Sequence, residues 1–192
     1  MNLRERFCRL WGDGGDSLYA ELKANYEHSS RMYHTLRYHI TEMLRLFDRH
    51  KKQAFHVEAV ELAIFFHDVF PSEQESADFA RAHMQRAGKD AADLVYNLIL
   101  ITVPTRVPET QDEKLIVDID RSSLALPRDE FRHNTKLLEE ESGLSPGAFA
   151  KQTTTFFEML LSQDHLFFTE EFLPLEQRAR ANMQAYLNDQ LS

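Results

Sequence analysis

An all-α fold is what this sequence predicts, and three observations carry the prediction. Only 6 Gly and 6 Pro in 192 residues leave few punctuators for strands and tight turns. The apolar residues recur mostly three and four apart rather than two. With 43% hydrophobic residues, 14 Phe among them, the chain can bury a real core, while 28% charged residues keep the exterior polar. The length favours one compact domain, and no internal repeat, low-complexity tract or linker interrupts it. A single bundle-like helical domain over 1–192 is therefore expected.

Taken in order, Leu36, Ile40, Met43, Leu44 and Phe47 fall at helical spacing and place an amphipathic helix over 35–50. Thr35 is its N-cap, and Arg37, Glu42, Arg45 and Arg49 form its far face. Val57 to Phe70 is apolar all round in its second half, which predicts the central buried helix. Pro71 stops that helix, Ser72 caps the next one over 73–87, and Gly88 lies just beyond its end. Ala92, Leu94, Val95, Leu98, Ile99 and Ile101 place a helix over 90–102. Val103 to Asp112, with Pro104 and Pro108, is the one long loop, a kind of segment that often carries function. An apolar run resumes over Lys114 to Asp120. After Pro127 a charged helix spans 128–142, Gly143 breaks it, Ser145-Pro146 lead into a helix reaching Leu161, and a last helix covers 175–187.

Charge and cysteine content narrow the function classes. Lys+Arg number 22 against 31 Asp+Glu, a formal net charge of −9, and no Lys/Arg-rich run offsets it. Such a balance repels a phosphate backbone and an anionic leaflet, so neither a nucleic-acid polymer nor a membrane is an expected partner. Arg4, Glu5, Arg6 and Arg9 are followed by no apolar run, and nowhere do about 18 apolar residues occur in succession, so neither a signal peptide nor a membrane span is expected. Cys8 is the single cysteine, which excludes an internal disulfide framework and a four-cysteine zinc site and fits a reducing, cytoplasmic location. Beside Arg6 and Arg9 it reads as a packing residue of an amino-terminal helix rather than as an activated thiol. Ser29-Ser30 and Ser122-Ser123 lack the glycines of a nucleophile elbow and read as capping residues. Phe156-Phe157 and Phe167-Phe168 read as core.

Three clusters carry chemistry. His67-Asp68 ends the most apolar helix of the chain, where an ionised carboxylate is costly to bury without a cation or hydrogen bonds. Arg31-Met32-Tyr33-His34 precedes His39 at the start of the 35–50 helix. Asp118-Ile119-Asp120 follows directly on Leu115-Ile116-Val117. On a helix, residues two apart differ by about 200°, so only one of those two aspartates can face inward. Taken singly, each cluster is more economically read as a cap, a core hydrogen bond or a solvated side chain. Together, in the order His, His-Asp, Asp, they supply imidazole and carboxylate groups from different helices, a mixed N/O set suited to a divalent metal.

At this point the sequence resembles the HD-domain metal-dependent phosphohydrolase superfamily, and within it a family of predicted HD phosphohydrolases of about two hundred residues. Besides the three clusters, the resemblance rests on Phe7 and Trp11, on Tyr26-Glu27-His28-Ser29-Ser30-Arg31-Met32-Tyr33-His34, and on Ala63-Ile64-Phe65-Phe66-His67-Asp68-Val69-Phe70. It extends to Ser72-Glu73-Gln74-Glu75-Ser76-Ala77 and to Glu176-Gln177-Arg178-Ala179-Arg180-Ala181-Asn182. The resemblance implies a single HD-type helical domain with one divalent ion (manganese, magnesium, iron, cobalt, nickel or zinc) held by His39, His67, Asp68 and Asp120, with Asp118 the alternative to Asp120. It further implies catalytic parts for Asp68, for His34 as proton donor to the leaving group, and for Glu73, which would orient the water or a ligand. Arg31 is the candidate for neutralising a substrate phosphate. The implied reaction is hydrolysis of a phosphate ester of a small molecule or nucleotide by a metal-activated water. Two other readings use the same fold: a non-catalytic ligand-binding protein and an iron-dependent oxygenase. His34 and His39 are five apart rather than four, so the helix is expected to begin after His34, leaving His39 to face the metal and His34 to be placed by the turn.

Overall fold

A computed structural model describes residues 2–190, and among them every regular element is a helix or a helical turn. The chain falls into two compact units divided between Ile116 and Val117.

The first unit is built around one apolar helix. Its elements are α1 (Leu3–Trp11), α2 (Gly15–Tyr26), a π-helical turn (Leu36–Ile40) running into α3 (Thr41–His50), α4 (Val57–Phe66), α5 (Glu73–Arg86), α6 (Ala92–Leu100) and the first turns of α7 (Gln111–Arg121). The helix α4 packs against α1, α3, α5 and α6, and Val60, Ala63, Ile64, Phe65 and Phe66 are fully buried. Phe7 of α1 meets Phe65 edge-on at 5.1 Å and stacks on Trp11 at 5.8 Å, which joins the amino-terminal helix to this centre. The link between α1 and α2 is tight: a Cβ on Gly15 would stand 3.1 Å from the Cys8 Cα, so a side chain there would require the neighbouring backbone to give by a few tenths of an ångström. Cys8 donates to the Asp16 carboxylate, and that bond holds its thiol above the usual cysteine range, the opposite of an activated nucleophile.

The predicted helices are all present, with bounds moved for physical reasons. Thr35 caps as expected, its hydroxyl accepting from Tyr38 N–H at 3.1 Å, but the first turn behind it is wide: Ile40 N–H bonds Thr35 O rather than the carbonyl four back. Leu36, Ile40, Met43, Leu44 and Phe47 are all buried, as their spacing predicts. The central helix stops at Phe66 and not Phe70, because the backbone beyond it is taken up by side chains from other elements. The 90–102 helix narrows to Ala92–Leu100, and the last helix lengthens to Glu176–Gln190. Ser72 caps α5, and Ser145 caps the helix Pro146–Leu161, through their hydroxyls.

The second unit holds the end of α7, a 3₁₀ turn (Ser122–Ala125), α8 (Arg128–Ser142), α9 (Pro146–Leu161) and α10 (Glu176–Gln190). α10 packs on α9 and on the 3₁₀ turn, and α8 packs on α9. Phe157 and Phe167 are core, while Phe156 lies at the surface. No helix among the described residues is long and apolar enough to cross a membrane.

Candidate metal centre

His39 enters the site from the π-helical turn, and His67 and Asp68 enter from the end of α4. The widened turn resolves the five-residue interval between His34 and His39. His34 lies in the bend before the helix, as expected, and the extra residue of the π turn leaves Tyr38 exposed while His39 is buried. The Nε2 atoms of His39 and His67 face each other at 3.2 Å. Asp68 Oδ2 is 3.2 Å from His39 Nε2 and 2.8 Å from His67 Nε2. His34 Nε2 stands 3.9 Å from the same oxygen.

This donor set fits a divalent ion. The Nδ1–H of His67 donates to Ile64 O at 3.0 Å, which leaves Nε2 as the lone-pair nitrogen of the neutral ring. Two imidazole nitrogens and a carboxylate oxygen then converge on one point, an arrangement that needs a proton or a cation among them. Adjacent ligands at about 2.1 Å from an octahedral ion stand about 3.0 Å apart, close to the three separations found here. When a proton rather than a cation takes that place on the rings, burial still opposes ionisation of Asp68, but the charges of His67 and His34 and the hydrogen bonds from His39 and His67 outweigh it and hold the carboxyl well below the usual range. Solvent reaches the cluster through Asp68 and His34, whose side chains are 19% and 29% exposed, against 6% and 2% for His39 and His67.

Other sequence-predicted residues take different places. Arg31 donates to Val69 O at 3.2 Å, so its guanidinium braces the turn that carries Asp68. Glu73 opens α5 and is half-buried. Asp118 is wholly buried in the second unit, where it accepts from Phe168 N–H at 2.8 Å, Thr169 N–H at 2.7 Å and the Thr169 hydroxyl at 2.6 Å. Burial pushes its carboxyl up to about 6, against the opposing pull of those bonds and of Arg121. The alternative ligand Asp118 is thus committed to the 168–169 backbone. Asp120, on another face of the same helix, is half-buried.

The carboxy-terminal stretch that contributed to the resemblance is scaffold. Glu176 accepts from Leu166 and Phe167 N–H, and Arg180 donates to Leu161 O and Gln163 O. Asn182 donates to Leu124 O and Leu126 O, both at 2.9 Å. Residues 101–110 form turns, and the end of that loop is pinned by Asp112, which accepts from Phe55 N–H and from the His56 ring, both at 2.7 Å. The residue that sequence reading passed over is Tyr26. It is fully buried, its hydroxyl donates to Phe65 O at 3.0 Å, and it accepts from Asp68 N–H at 3.3 Å. Burial and the nearby Asp68 charge push it well above the usual tyrosine range, so the hydroxyl keeps its proton. Tyr26 stands in the stretch running to His34, but nothing local in that stretch assigns it a partner.

No family model matches the chain, and no curated protein or solved structure matches it either.

Proposed function

We propose that this chain is a metal-dependent phosphohydrolase acting on a phosphate ester of a small molecule or nucleotide. The observation that carries the reading is the convergence of His39 Nε2, His67 Nε2 and Asp68 Oδ2 within 3.2 Å of one another, beside a solvent-reached His34. In this reading His39, His67 and Asp68 hold one divalent ion, together with Asp120, the further carboxylate that the resemblance names. An ion bound there supplies Lewis acidity, lowering the pKa of a water toward neutrality and drawing charge from a phosphoryl oxygen. The protein's own part is orientation and proton transfer. His67 is held in one tautomer by Ile64 O. His34, at the open side, delivers a proton to the departing oxygen. Arg31 faces a phosphate only if it keeps a donor beyond the one given to Val69 O, and a guanidinium has five.

Two imidazoles and one carboxylate also make the ligand set of non-haem iron oxygenases, which is the observation favouring a second reading. Elemental analysis of the purified chain beside its His67→Ala/Asp68→Ala variant, with phosphatase and phosphodiesterase assays under added manganese, magnesium, iron or zinc, separates the two. Stoichiometric metal lost in a still-folded variant, with metal-dependent phosphate release, is the expected result. Bound iron with turnover that stops under anaerobic conditions would replace hydrolysis by oxygenation. Metal-free protein that is stabilised by a nucleotide without turning it over would make this a binding protein.

A further inference from the structure

The helix α4 ends at Phe66, one residue before the His-Asp pair, although the sequence stays apolar through Phe70. In a helix that ran on, Val69 N–H would bond Phe65 O, and the side chains of His67 and Asp68 would diverge by about 100°. Instead Val69 N–H turns to Phe66 O at 3.3 Å, and Phe65 O accepts the Tyr26 hydroxyl at 3.0 Å. The same hydroxyl oxygen accepts the N–H of Asp68 at 3.3 Å. One atom from α2 therefore replaces the helical bond that α4 gives up and takes the backbone of the residue that must turn. With Tyr26 at 0% exposure, both bonds are shielded from bulk water.

We propose that Tyr26 is a positioning residue for metal capture, ending α4 at Phe66 so that the Asp68 carboxylate swings back to within 2.8 Å of His67 Nε2. The inference rests on reading His39, His67 and Asp68 as a metal site. Two further side chains hold the same turn, Arg31 on Val69 O and Ser76 Oγ on Phe70 N–H, but they act past the ligand, whereas Tyr26 acts on Asp68 itself. Because the hydroxyl and not the ring makes the connection, removing one oxygen atom tests it.

The test is a Co²⁺ titration of the metal-stripped full chain, followed by visible absorption, for wild type, Tyr26→Phe and Thr102→Val. Thr102→Val deletes a comparable buried bond in the same unit, from the Thr102 hydroxyl to Ile99 O at 2.7 Å. It therefore reports what lost stability alone does to binding. Tyr26→Phe is expected to raise the Co²⁺ Kd about 10- to 100-fold and to shift the absorption bands, the range found when a group supporting a metal ligand is removed. Thr102→Val is expected to leave both unchanged. Equal Kd values for wild type and Tyr26→Phe, or equal weakening by the two variants, would overturn the inference while leaving the metal site standing. No Co²⁺ uptake by wild type would overturn the metal site and the inference with it. Should Tyr26→Phe fail to fold, 3,5-difluorotyrosine at position 26 keeps the hydroxyl but weakens it as an acceptor; a weaker Kd then supports the inference and an unchanged one overturns it.

Discussion

The Asp68 carboxylate lies 2.8 Å from the Nε2 of His67, the residue before it in the chain. On an unbroken helix the side chains of neighbours leave the axis about 100° apart. Here α4 has already ended at Phe66, and the buried Tyr26 hydroxyl accepts the Asp68 N–H. The carboxylate thus serves His39, His67 and His34 together, on the side of the cluster that solvent reaches.

Asp68→Asn keeps the volume and the backbone bond to Tyr26 while removing the charge. Metal content after gel filtration is expected to fall from near stoichiometric to trace, with helix content by circular dichroism unchanged. Full metal retention would show that the ion does not need the Asp68 charge.

In the proposed reaction His34 gives a proton and does not hold the ion, so His34→Ala is expected to retain metal and lower kcat by about 10²- to 10⁴-fold. The loss should shrink for a nitrophenyl phosphate ester, whose leaving group departs without protonation. Steady-state kinetics on the two ester types, with metal content measured in parallel, check this.

Asp118 makes stability depend on pH. Its carboxyl titrates at about 6 in the folded chain, above the usual unfolded value of about 3.9. A raised carboxyl pKa favours the folded state fully below the unfolded value, and that contribution is lost as pH rises through the folded one. Wild type is therefore expected to lose about 2 kcal/mol relative to Asp118→Asn between pH 4 and pH 7, since each tenfold difference in proton affinity is worth roughly 1.4 kcal/mol. Urea unfolding of both proteins across that range checks it; parallel curves would refute it.

Asn182 ties α10 to the 3₁₀ turn through the carbonyls of Leu124 and Leu126. Asn182→Ala leaves both without that donor and is expected to cost about 2 kcal/mol in thermal or urea unfolding. Metal content should stay at the wild-type level, which separates this stretch of the sequence from the cluster of His39, His67 and Asp68.

Much of the fold is legible because its signals are local. The buried stripe from Leu36 to Phe47 follows from helical period alone, and Thr35, Ser72 and Ser145 cap where their hydroxyls meet N–H groups three residues on. The residue types of the cluster are legible too, since His39, His67 and Asp68 interrupt apolar segments where a polar group needs a partner. What the pattern of residues leaves open is the choice between Asp118 and Asp120, because two aspartates on one helix look alike until the partners of each are known. Arg31 shows the same gap: its hold on Val69 O, 38 residues on, is written nowhere in its own neighbourhood.

Helical class, the caps and the stock of imidazole and carboxylate groups can all be read along the chain, because each depends on residues within about one helical turn of each other. Where α4 stops cannot, for the apolar run continues to Phe70 and the stop is made by a hydroxyl 39 residues away in sequence. Nor can the commitment of Asp118 to the backbone of Phe168 and Thr169, some fifty residues on. Pairings at such separations come from packing, which brings donors and acceptors together only after the helices have formed their own bonds.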